Sequence, residues 1–507
     1  MIRHSIKYIF GIAAVVTLTG CSSSMLDEEL YSQVGQENLS NASGADLLTK
    51  GIYKYVRYFS YYGGNNWVMS TESNSDDFYC SWGGFDATSW GGAQNFLNMD
   101  AGHSMAQTNW DDVYEIIAQC NEVINNYSSS DDATTKVYVA EARFWRGFSY
   151  DRLYRLFGTV PLVTGNEDLS NGLARASDDE MKSFIIADYE AAYEALPETR
   201  STSESGRPSK YAVAAAMARY YLNNKDWANA AKYAKEVIDS GQFSLESNYQ
   251  DIFSNDNNSE TILAIDNISE SQLGNKYVAL VLEASLRAYL GLSGISSSNG
   301  YGMATQFYKS FDPNDVRITP YDKTTKQGIA VTGILYNDDG TSVYSQNDQA
   351  ISVEEYLHRV PTFKWPVQED IPNGEDASYD FPLLRLGEVY LTYAEALNEE
   401  GQTAEAATYV NLIRARAGVA SISTSLSQSE MRDAILDERG WETYHEGYRR
   451  EDLVRNGKLL EKVNEKYEFY FGEEMPWKSE DYRILEAIPT NALMLNPLLE
   501  QNPGYAD

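Results

Sequence analysis

Cysteine is nearly absent from this chain. There are three in 507 residues, Cys21, Cys80 and Cys120, which excludes a disulfide scaffold. Histidine is almost as scarce. His4, His103, His358 and His445 are too scattered for an obvious metal site. Positive charge is short as well: 40 Lys and Arg stand against 74 Asp and Glu, a net charge of −34. Such a balance repels phosphate backbones and anionic lipid, and it argues against nucleic acid as a partner. Long apolar runs are missing too. The run from Ile9 to Leu18 is too short to span a bilayer as a helix. Nor is there an HExxH, a CxxC, a Walker loop or a GxGxxG opening a helix. What the chain has in quantity is tyrosine, at 38, with nine tryptophans. These serve a core, a ligand platform, or both.

The N-terminus reads as an address. Arg3 and Lys7 precede the short apolar run, and Leu18-Thr19-Gly20-Cys21 resembles a bacterial lipobox. Cleavage there would leave Cys21 to carry the acyl chains. Asp27, Glu28 and Glu29 then make an acidic tether. Cys80 and Cys120 remain, and could pair in an oxidising compartment, although nothing in the sequence fixes their separation.

Helical periodicity predicts helices over 45–58, 108–127, 137–157 and 177–196. The last opens on Ser177-Asp178-Asp179-Glu180, with acids in its first turn. Residues 60–102 break the pattern: glycine, asparagine and serine surround Trp67, Phe78, Trp82, Phe85 and Trp90, as in a long functional loop. Tyr211 to Tyr221 and Trp227 to Ile238 form a helical pair closed by Gly241. A second pair follows much later. Leu383, Leu386, Tyr390, Tyr393 and Leu397 share one face, Gly401 breaks the helix, and Ala406, Val410, Ile413 and Ala417 form the next stripe before Gly418. Such hairpins need neighbours of their own kind to bury their stripes. Between the pairs, 243–380 mixes loops with β-prone runs at 261–265 and 328–336. The stretch after Lys458 reads as mostly irregular.

Several ordered motifs carry a resemblance: EARFWRGFSYDRLYRLFGTVPLV, RLGEVYLTYAEALNEEG, VNLIRARAG, DERGWETYHEGYRREDLVR and AIPTNALMLNPLLEQNPGY. Together they resemble the RagB/SusD family of surface lipoproteins, over nearly the whole chain. The resemblance implies a mostly α fold of tetratricopeptide-like hairpins, with a loop-rich face and a few short strands. It divides the chain into a signal peptide (1–20), a lipidated acidic tether (21–43) and one α-helical domain (44–507). Within that domain 381–457 is the repeat core and 243–380 a loop-rich insertion. It further implies a non-catalytic protein without cofactor or metal, lipid-anchored at the outer membrane and facing the exterior. Such a protein captures oligo- or polysaccharide for a SusC-like TonB-dependent transporter. The alternatives are capture of a peptide or other non-glycan nutrient, and a lipid-anchored hydrolase.

A pyranose ring offers a flat C–H face and a hydroxyl rim, so aromatic rings and polar side chains are its natural contacts. By the resemblance, Trp82 and Trp90 are the expected stacking residues, Phe85 and Tyr301 flank them, and Asp86 and Asn95 reach hydroxyls. Core packing is the competing role for each ring. Gly102-His103-Ser104-Met105-Ala106 approximates a nucleophile elbow, but no strand precedes it. Asp256-Asn257-Asn258 reads as a solvated loop before a calcium site. His445 reads as structural, and Arg414, Arg416, Glu438, Arg439 and Arg449 as buried pairs between helices.

Overall fold

The computed structural model describes residues 41–506, apart from 62–65, 83–86, 202–203, 299, 333–344, 347–348 and 351–358. The signal peptide, Cys21, Phe85, Asp86 and His358 lie outside the described residues.

The expected helices form. α1 spans Ala42–Val56, α2 Trp67–Ser73, α3 Trp90–Asn95, α4 Ser104–Tyr127, α5 Ala133–Phe157 and α6 Asp178–Ala195. Ser177 caps α6 in a reciprocal box with Glu180, which satisfies two N-terminal donors. The first pair is α7 (Lys210–Asn223) and α8 (Trp227–Asp239). Short α9 (Tyr277–Val281), α10 (Ala284–Tyr289) and α11 (Thr305–Tyr308) lie in the insertion. The second pair is α12 (Leu386–Glu399) and α13 (Thr403–Arg416), turned at Gly401 with φ +81. α12 packs on α8 and α7, so the hairpins are neighbours in space although far apart in sequence. Each buries the stripe the other leaves open. α14 (Gln428–Thr443) closes the group, followed by α15 (Arg449–Arg455), α16 (Leu459–Phe471) and α17 (Thr490–Leu495).

Three expectations are corrected. First, residues 60–102 are not one loop. They hold α2, α3 and strand β1 (Phe78–Cys80), and Trp67 and Phe78 are buried. Second, Phe381–Arg385 does not begin the helix. It is a strand antiparallel to Thr261–Ile265, pairing Ile265 with Phe381 and Leu263 with Leu384. Both faces of that strand are buried, so its leucines read equally well as a helical stripe. Third, the stretch after Lys458 contains α16, whose inner side is Leu459, Val463, Lys466 and Tyr467. Cys80 and Cys120 are both free and buried, with no disulfide between them.

A second small sheet positions the loop-rich face. β1 pairs with Tyr301–Ala304, setting Phe78 opposite Met303 and Cys80 opposite Tyr301, and Tyr301–Ala304 pairs in turn with Arg359–Val360.

Buried ion pairs bind these layers together, as expected from the motif residues. Glu442 on α14 meets Arg317, Arg385 and Arg416. Arg317 also holds Asp315 at 2.6 Å and Glu438 at 2.7 Å, and Arg414 reaches Glu438 at 2.7 Å. Arg385 continues to Glu260 at 2.9 Å and Glu446 at 2.7 Å. Arg449 reaches back to Asp76 at 2.7 Å. His445 is buried beside Tyr277, whose hydroxyl lies 2.8 Å from its Nδ1.

These pairs set the acid limb of stability. Burial pushes the Glu442 carboxyl upward, but Arg416, Arg385 and Arg317 outweigh burial and hold it well below the ordinary range. Burial is likewise outweighed at Glu451, by Arg152, Arg219 and Arg155. A carboxyl depressed in the fold stabilises it above the unfolded carboxylate range and loses that contribution as pH falls. Denaturant melts are therefore expected to show a steep loss of stability as pH drops below about 4.3. A flat profile down to about pH 2 would contradict it.

Candidate functional site

Trp82 lies two residues beyond the end of β1. Its indole lies across Gly300, where a Cβ would fall 2.3 Å from Cε2 of the ring. Only glycine permits that approach. Nε1 donates to the Ser298 carbonyl at 2.9 Å. The edge of the ring meets Tyr301, with centroids 4.9 Å apart at 67°. Trp90 opens α3, whose first turn is capped by Ser89 through Gly92 N. Its Nε1 donates to Ser104 Oγ at 2.9 Å, and its ring stacks on His103 at 5.3 Å and 23°. The two indoles sit 6.5 Å apart, tilted by 40°. Both are partly exposed.

Burial lowers the His103 pKa, against smaller upward pulls from the Trp90 carbonyl and Asp100. Nδ1 accepts from Met105 N at 3.3 Å and Nε2 lies 3.1 Å from Trp90 O. Those partners fix the neutral Nε2–H tautomer, a flat, uncharged ring behind Trp90.

Two expected contacts face inward. Tyr301 is fully buried, stacked on Phe78 at 5.3 Å and 15°. Asn95 is fully buried too: its Oδ1 accepts from Cys80 N and its Nδ2 donates to Cys80 O, both at 2.7 Å. It mimics a neighbouring strand and ties β1 to α3. Tyr301 and Asn95 thus support the tryptophans from beneath and have no surface for a ligand. Ser104 is the first residue of α4 and follows a loop, so the strand that an elbow requires is missing, and its hydroxyl is engaged by Trp90. Among the described residues no His, Cys, Asp or Glu cluster is placed to hold a metal ion.

Sequence reading missed Gly300, Ser298 and His103 as supports. The only local signal was glycine among small residues, and nothing in it points to a tryptophan so distant along the chain.

With both indole N–H groups bonded to protein, the pair offers a ligand π-surface rather than donors. That surface sits on a fold shared with known proteins. The SusD family model matches residues 201–505. This chain belongs to the SusD/RagB family. A second family model, described as starch-binding and associating with the outer membrane, matches residues 25–222. SusD-like protein P2 of Formosa agariphila is 30% identical over 432 residues, 81% of this chain and 83% of that protein. The starch-binding protein SusD of Bacteroides thetaiotaomicron is 27% identical over 437 residues, 77% of this chain and 76% of its own. Among solved structures, surface glycan-binding protein A from Bacteroides uniformis superposes with a TM-score of 0.73 at 21% identity, covering 91% of this chain and 99% of that one. That likeness establishes the SusD fold, with its helical pairs and loop-rich face.

Proposed function

We propose that this SusD-family protein captures oligo- or polysaccharide on the Trp82–Trp90 face without cleaving it. In this reading it is a surface lipoprotein, anchored through Cys21 at the outer membrane and facing outward. It passes its ligand to a SusC-like TonB-dependent transporter. The observation that carries the reading is the partly exposed indole pair, braced from beneath and left with π-faces to offer. A pyranose C–H face fits such a surface. The match to a starch-binding relative over most of both chains supports the same ligand class. No helix among the described residues is long and apolar enough to cross a membrane; in this reading the acyl chains on Cys21 hold the protein there. Trp82 and Trp90 are the stacking residues of this reading, with Phe85 flanking them and Asp86 reaching a hydroxyl.

Affinity electrophoresis through gels containing neutral polysaccharides tests this. The protein is expected to be retarded by at least one of them and to leave its length unchanged. Free migration in every gel, or shortening of the polymer, defeats the reading. On intact cells the wild type should be open to added protease, and Cys21→Ala should leave the membrane fraction.

A further inference from the structure

Beside Trp90, a cleft of about 470 Å³ is lined by residues from the start of α3, the start of α4 and the C-terminal tail. Its size falls within the range of about 300–1,000 Å³ usual for small-molecule sites. Trp90, His103, Tyr482 and Tyr505 are among its lining residues. The two tyrosines meet edge to face, 4.9 Å apart at 87°. Their hydroxyls are engaged, Tyr482 with Glu480 and Tyr505 with the Leu485 carbonyl, so the rings are held rigid.

We infer that this cleft is a second sugar-binding subsite, taking a neutral ring of the same polysaccharide chain that lies on the Trp82–Trp90 face. The inference rests on the glycan reading and extends it. Trp90 belongs to both places, so one chain can run from the indole pair into the cleft. Aromatic walls suit a pyranose face, and polar groups stand at the edges. Asp100 Oδ1 accepts from Gly102 N at 2.9 Å, and Oδ2 has no hydrogen-bond partner among the described residues. The Arg483 Nε donates to Glu480 at 2.7 Å and Nη1 to the Leu97 carbonyl at 3.1 Å, leaving Nη2 to reach a hydroxyl. The Arg483 charge is met by Glu480, and Asp100 adds a negative charge, so an acidic sugar has no unpaired cation here. A hydroxyl-bearing neutral ring fits.

Two variants separate the cleft from the indole pair. Asp100→Ala removes an exposed carboxylate, and Ala506→Trp fills the cleft from its rim; Trp82→Ala removes one ring of the pair and leaves the cleft lining in place. All are probed, with the wild type, on a glycan array of neutral and acidic oligosaccharides graded from two to about ten units. Thermal melts check folding. The expected wild-type signal rises with length on one neutral series. Asp100→Ala and Ala506→Trp should cut the long members about tenfold, to the level of the short ones, and leave the short ones unchanged. Equal binding by wild type and both cleft variants at every length overturns the subsite and leaves the indole pair standing. Binding of acidic members alone overturns its neutral character. No sugar retained by the wild type overturns both readings together.

Discussion

Replacing Arg439 with alanine is expected to destabilise the protein by about 3–5 kcal/mol, the cost of stripping a buried ion pair of one partner. Arg439 is 1% exposed. Its Nε lies 2.9 Å from Asp452, Nη2 3.1 Å from Glu388, and Nη1 donates to Thr392 Oγ1 at 3.1 Å. The alanine variant leaves Glu388 and Asp452 buried with their main cation gone. Water cannot replace it without opening α12 from α14. Denaturant unfolding measures the loss, and sugar affinity of the remaining folded protein should match the wild type. A variant of wild-type stability, or one that stays stable but no longer binds, would show Arg439 to be something other than a structural clamp.

Trp82→Ala and Trp90→Ala should behave in the opposite way. Each removes a partly exposed ring. Loss of one central aromatic contact is worth about 2 kcal/mol, or roughly thirtyfold in Kd. Stability should fall little beside Arg439→Ala. Trp90→Ala is expected to weaken binding more, because His103 and Ser104 lose the ring they brace. Isothermal titration against the glycan retained in the gels reads both. Undiminished affinity in either variant removes that ring from the binding face.

Much of this architecture was legible in the chain. Helices with strong periods and clear stops, such as Asp178–Ala195 with its Ser177 box and Leu386–Glu399 before Gly401, carry their evidence locally. The repeat character was legible because each stripe was too wide to be covered by its own partner. The failures share a cause. Phe381–Arg385 is a strand because Thr261–Ile265 lies beside it, and no local pattern records a neighbour so far away. Leu459–Phe471 has a spacing of four between Leu459, Val463 and Tyr467, but its charges dilute the stripe, and one of them, Lys466, is itself buried against the Ser73 and Phe78 carbonyls. At the Trp82–Trp90 face, sequence could pick out aromatics among small residues but not which way each points. Trp82 and Trp90 emerge because glycine and a serine hold them near the surface. Tyr301 sinks because its strand is the middle one of three.

The charged clamps also sort the molecule into parts that can be exchanged and parts that cannot. Asp76, Glu260, Asp315, Lys364 and Arg385 are posts, each fastened to the frame through Arg449, Arg416, Arg317 or Glu446. A stretch strung between two posts inherits fixed ends whatever its composition. Transplanting such a stretch from a relative should therefore alter taste without disturbing the chassis, which makes this domain a natural mount for interchangeable recognition loops.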